Sequence, residues 1–127
     1  MARLSTTAAN GVLDALFNGT AWNPMSSGDP YISLHTGDPG TTGANEVTGG
    51  TYTRQRPAFN AAASGSAKNT SAVEFTLMPT ATVTYVGVWT AATNGTFMLG
   101  GALSASVSVT AGNTLTLTAE HIIAACS

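Results

Sequence analysis

Residues 105–117 read Ala-Ser-Val-Ser-Val-Thr-Ala-Gly-Asn-Thr-Leu-Thr-Leu. Ala105, Val107 and Val109 alternate with Ser and Thr, and Leu115 and Leu117 alternate with Thr114, Thr116 and Thr118. Successive side chains of a strand point to opposite faces, so this period of two marks two strands, each with an apolar and a hydroxyl-rich face. Between them stands Ala111-Gly112-Asn113. Gly-Asn suits a tight connection, and the two strands are expected to pair as a hairpin.

The same rhythm recurs toward the N-terminus. Asn94-Gly95, a strong hairpin signal, joins Val83–Trp89 to Phe97-Met98-Leu99. Val83, Tyr85 and Trp89 fall on one face of the first strand and Val86 and Val88 on the other, as in a strand covered on both sides. Val73, Phe75 and Leu77 alternate with Glu74, Thr76 and Met78, and the small residues of Ala61–Lys68 read as a connector. Tyr52–Phe59 is a strand candidate that Pro57 confines to an edge or a bulge.

Tyr31–His35 places Ile32 and Leu34 on one face and runs into the turn Gly37-Asp38-Pro39-Gly40. Thr41–Gly50, glycine-rich and poor in apolar residues, reads as a long exposed loop. Short strands at roughly 8–12-residue spacing indicate an all-β domain, a β-sandwich or jelly-roll-like fold. The expected core is Ile32, Leu34, Phe59, Phe75, Val83, Tyr85, Trp89, Val107, Val109, Leu115 and Leu117.

One helix breaks the pattern. Ser5, Thr6 or Thr7 can cap a helix running to Phe17, and Asn18-Gly19 ends it. Val12, Leu13, Leu16 and Phe17 form an apolar stripe on it, marking a candidate assembly interface. The stripe either covers an end of its own domain or docks on a neighbouring subunit. Residues 1–20 are thus a helical docking segment and residues 21–127 the β-sandwich domain.

Bulk composition narrows the partners. The chain has 127 residues, enough for one modest core, and 43% are hydrophobic. Only 8% are charged, against roughly 25% in ordinary domains. A surface of Ser, Thr, Asn and Gly costs less to desolvate than one of ions, which suits permanent neighbours. Arg3, Arg54, Arg56 and Lys68 form no basic stripe, which argues against nucleic acid as a partner. No signal-like or bilayer-length apolar run occurs, so no membrane is expected, and synthesis in a cytosol fits. Cys126 has no intrachain partner.

Candidate chemistry is thin. Abundant Ser with His35 and His121 could build a nucleophile pair, but no Gly-x-Ser-x-Gly elbow accompanies them. Asp29, His35, Asp38 and Glu46 cluster without the alternating oxygen ligands of a calcium loop, and Cys126 carries no sign of thiolate activation. Asn18, Asn69 and Asn94 head chance-level glycosylation triplets. Trp22, Tyr31, Tyr52, Tyr85, Trp89 and Phe97 could form a sugar-binding shelf, although core anchoring is the commoner use of such residues. The reading is a non-enzyme with no catalytic residue, metal or cofactor.

The segment Tyr-Ile-Ser-Leu-His-Thr-Gly-Asp-Pro-Gly (31–40), with Gly43-Ala-Asn-Glu-Val47 and Gly49-Gly-Thr-Tyr-Thr-Arg-Gln55, resembles a family of small phage and prophage virion proteins commonly labelled phage tail fibre proteins. Thr82–Ala92, Gly101-Ala-Leu103, the 107–117 segment and the helix ending Phe17-Asn-Gly-Thr20 fit the same pattern. The resemblance implies a structural component of a tailed bacteriophage virion on the capsid or tail surface. Its main expectation is a capsid decoration protein; the alternative is a tail-fibre or tail-tip component for host attachment, and the remote alternative a cell-surface polymer hydrolase. The expected partners are other copies of the chain, as a homotrimer, and the major capsid protein or tail proteins.

Overall fold

The helix begins where a side chain replaces a missing helical partner. Ser5 Oγ accepts from the Ala8 amide at 3.1 Å, capping α1 (Thr6–Phe17) as its sequence requires. Asn18 closes the helix, its amide donating to the Asp14 carbonyl, and Gly19 follows with φ of 65°. The computed structural model describes residues 3–21, 30–118 and 123–125. Trp22, Asp29, His121 and Cys126 lie outside the described residues.

Among the described residues, all regular structure apart from this helix is β. The strands in order are β1 (Arg3–Leu4), β2 (Tyr31–His35), β3 (Ser66–Lys68), β4 (Val73–Phe75), β5 (Ala81–Trp89), β6 (Phe97–Val109), β7 (Leu115–Leu117) and β8 (Ile123–Ala125). An antiparallel sheet runs β1-β6-β5-β2, and two ribbons, β3-β8 and β4-β7, complete the described architecture. β1 pairs at Gly100 and Leu99, and the Ser5 amide donates to the Met98 carbonyl, so the helix start is pinned to the sheet.

One apolar cluster joins the layers. Ile32 and Leu34 from β2, Val83 and Val88 from β5 and Val109 from β6 meet Val73, Phe75, Leu115 and Leu117 of the β4-β7 ribbon. Asn94 and Gly95, with φ of 55° and 73°, turn the β5-β6 hairpin where Asn-Gly marks it, although the loop between the strands spans residues 90–96.

Several expectations need correction. Segments 105–109 and 115–117 do not pair: beyond the turn at Gly112 the chain leaves the sheet, and β7 pairs with β4 instead. Alternation shows that each is a strand, but not which strand lies beside it. Val107 is exposed at 36%. Val107 nevertheless pairs opposite the buried Val83; between Val83↔Val107 and Tyr85↔Ala102, two steps along β5 face five along β6, a bulge of residues 103–106 from which Leu103 still packs against the core. Thr84, opposite the surplus, keeps a buried hydroxyl with no hydrogen-bond partner.

Leu77, expected to alternate inward, is exposed, and Met78 is buried in its place. A left-handed backbone at Leu77, φ 49°, turns the chain after the short β4. Tyr85, Trp89 and Phe59 are half-buried, and register shifts on both sides of Tyr85–Val88 explain the mixed faces of β5. Tyr52–Phe59 makes isolated bridges at Gln55 and Phe59 and no strand, whereas the supposed connector contains β3.

The cluster sets the first prediction. Phe75 is 1% exposed and stacks on Tyr52 at 6.0 Å between centroids. Phe75→Ala should cost about 3–5 kcal/mol in urea unfolding. Val107→Ala should stay within about 0.5–1 kcal/mol, because the side chain is already largely solvated.

Candidate functional site

β2 is an edge strand buried on both faces. Ile32 and Leu34 enter the core, while Ser33 and His35, both fully buried, lie on the other face beneath the 36–47 loop. Directly opposite residues of an antiparallel pair share a face, so Ser33 and His35 look across at Gly87 and Tyr85. A Cβ on Gly87 would sit 2.6 Å from Ser33 Oγ and 2.7 Å from His35 Nε2. Glycine here makes the hollow that the imidazole fills, and Gly43 likewise leaves room for the Trp89 indole.

Proton counting fixes the direction of each bond. The Ala44 carbonyl can only accept, so His35 Nδ1 carries the hydrogen and donates at 2.7 Å. Nε2 of the neutral ring then accepts from the Ser33 hydroxyl at 2.7 Å, and Ser33 Oγ accepts from Trp89 Nε1 at 2.9 Å. Burial lowers the His35 pKa, against smaller opposing pulls from the Ala44 bond and the Glu46 charge, and favours this neutral form.

A second chain lies beside the first. The Leu34 amide donates to the Tyr52 hydroxyl at 2.9 Å, which donates to Glu46 Oε2 at 2.9 Å. Arg54 grips Glu46 with Nε and Nη2 at 2.9 and 2.8 Å, while its Nη1 donates to the Ala91 and Asn94 carbonyls. The guanidinium stacks 3.7 Å from the centre of the Trp89 ring. Burial alone would raise the Glu46 pKa, but the bonds from Arg54 and Tyr52 and the Arg54 charge outweigh it and lower it. Burial and the neighbouring carboxylate push the Tyr52 phenol up despite the Leu34 amide, keeping it protonated as a donor.

The network also seals the sheet edge. Ile32 exchanges backbone bonds with Gln55, the Leu34 carbonyl accepts from Val47, and the Leu34 amide is taken by Tyr52. The 41–50 stretch, expected as an exposed loop, is therefore partly inside: Glu46 bridges His35, and Val47 is 4% exposed.

Ser33 and His35 hold the hydrogen bond of a nucleophile pair, but both are sealed from solvent, and a carbonyl rather than a carboxylate orients the ring. Of the metal candidates, His35 and Glu46 are committed to these partners, and Asp38 Oδ1 accepts from the Gly40 amide as a turn brace. Asn69 is buried with its amide donating to the Ser71 and Thr118 carbonyls, closed to glycosylation. No aromatic shelf forms from Tyr52 and Trp89, which belong to the network. Helix residues Leu13, Leu16 and Phe17 are 51%, 71% and 78% exposed, Val12 is half-buried, and Ala8 is the helix residue that enters the core.

Above the ion pair opens a cleft of about 380 Å³, bounded by residues 46–50, Tyr52, Thr53, Arg54 and the 92–94 turn. Sequence reasoning missed both cleft and network, because they join the 43–54 arm to a hairpin turn some forty residues away. The sparse charges gave only a weak signal, since Glu46 and Arg54 stand among four basic and six acidic residues along the chain.

The family model described as Podophage GP4 fiber I protein gp80 matches residues 3–125. The chain belongs to this phage fibre family. No curated protein matches it. Membership makes the fibre protein virion-associated and favours the tail-fibre reading over capsid decoration. Among the described residues, no helix is long and apolar enough to cross a membrane.

His35 binds a proton more weakly when folded than unfolded, so its contribution is complete above about pH 6.5 and is lost as pH falls below that value. Glu46, also lowered, adds a second loss as pH falls below about 4.5. The fibre protein's thermal midpoint should decline in both windows, and His35→Gln should flatten the upper one while leaving the lower. In a separate test, Gly87→Ala should cost about 1–3 kcal/mol in urea unfolding by crowding the Ser33–His35 pair.

Proposed function

We propose that the chain is a non-enzymatic fibre or tail-tip subunit of a tailed phage that takes part in contact with the host surface. The match over nearly the whole chain to a fibre family carries this reading. The sealed Ser33–His35 pair supports a structural role, because a nucleophile without solvent access cannot reach a substrate. No metal or cofactor enters the proposal: His35, Asp38 and Glu46 already have protein partners.

The same reading makes the working unit a symmetric homo-oligomer, a trimer about the fibre axis, seated on other tail proteins of the virion. Leu13, Leu16 and Phe17, left open on α1, favour docking on a neighbour over the alternative that the stripe caps its own domain. Closed symmetry satisfies this contact in every copy without open-ended growth.

Quantified gel bands and immunogold labelling of purified particles test the placement. Low copy number at the tail is expected, and hundreds of copies spread over the head would overturn it. For assembly, sedimentation should give a trimer for the wild type and a folded monomer for Leu16→Asp/Phe17→Asp. A monomeric wild type would refute the oligomer, and an unfolded double variant would show that the stripe serves its own domain.

A further inference from the structure

The cleft over the Glu46–Arg54 pair has an unusual floor. Arg54 has five N–H donors, and four are directed to Glu46, Ala91 and Asn94, leaving one on Nη2. Glu46 Oε2 accepts from Tyr52 and Arg54, but Oε1 accepts once, leaving an acceptor position beside the spare donor. Both residues line the cleft, with the Arg54 side chain 9% and the Glu46 side chain 20% exposed.

The two charges cancel locally while a donor and an acceptor remain side by side. A phosphate or carboxylate placed there would meet the Glu46 carboxylate, and an ammonium would meet the guanidinium. A hydroxyl, which donates and accepts at one atom, fits without uncompensated charge, and a vicinal diol fits better. The walls repeat this chemistry: Thr48, Thr53 and Thr93 offer exposed hydroxyls and Asn94 an amide. The floor is already held by its protein bonds, so little side-chain freedom is lost on binding.

We propose that this cleft binds a neutral saccharide unit, with the Glu46–Arg54 pair as a rigid donor–acceptor platform. The inference rests on the reading of the chain as a host-contacting fibre subunit, and it names the ligand class of that contact. One unit in an open cleft gives weak affinity, and repetition about a fibre axis multiplies it.

The test is an NMR titration of the full chain with the methyl glycosides of glucose, galactose, mannose, N-acetylglucosamine and rhamnose. Each is taken to about 50 mM, above the roughly millimolar Kd of such a small contact. At least one should give saturable shifts at the amides of 47–53 and 92–95, while inorganic phosphate and tetramethylammonium leave them unmoved. Thr48→Trp and Thr93→Trp, both at exposed positions, should abolish the shifts and keep the remaining spectrum. Silence across the panel, stronger shifts from phosphate, or undiminished binding by both variants would overturn the proposal. A silent cleft in a chain located at the tail would refute the site and leave the fibre reading standing. Saccharide binding by a chain located on the head would do the reverse.

Discussion

A carboxylate taken out of water must be met by a cation and by hydrogen bonds, and Glu46 receives both from Arg54 and a further bond from Tyr52. Satisfying this one group draws together four stretches of chain: the 43–47 arm, the 52–55 segment, the end of β5 at Trp89 and the 91–94 turn. The loop that covers Ser33 and His35 is held by the same contacts. Removing either ion would leave its partner half-buried and uncompensated, so the two are energetically inseparable.

Much of the architecture was legible because it is local. The helix from its Ser5 cap to its Asn18-Gly19 stop, the Asn94-Gly95 turn and the inward Ile32, Leu34, Phe75, Val83 and Leu115 follow from capping, turn chemistry and period-two alternation. What escaped is non-local. The partner of Leu115–Leu117 depends on the chain changing layers after Gly112. The break in alternation before Val107 depends on three surplus residues in β6, and the Leu77–Met78 inversion depends on a single left-handed residue. Of the site, His35 and Glu46 stood out only as titratable groups near a turn. Their protons and charges are explained by Trp89, Arg54 and Gly87, which no short window contains.

The buried Ser33–His35 bond shows how little geometry alone says about chemistry. The distance and tautomer are those of a catalytic pair, yet the serine hydroxyl is wedged between an indole donor and an imidazole acceptor. Here the histidine works as a hydrogen-bond ruler, matching the spacing between strand and loop. The scarcity of ions elsewhere makes the contrast sharper: polar groups outside this network are mostly neutral hydroxyls and amides suited to contact with neighbours.

Backbone groups along the outer edge of β2 are spent on loops and a phenol, so two kinds of interaction hold the molecule. The apolar cluster between the sheet and the β4-β7 ribbon is held by burial, which is indifferent to direction, whereas the arm over β2 adds aligned polar bonds to the anchorage that Val47 and Tyr52 find in that cluster. Opening the arm would draw Val47 and Tyr52 out of that cluster, so its release is coupled to loosening of the core around Phe75. A fibre protein built this way shares mechanical load between its polar latch and its core, because the same two side chains belong to both.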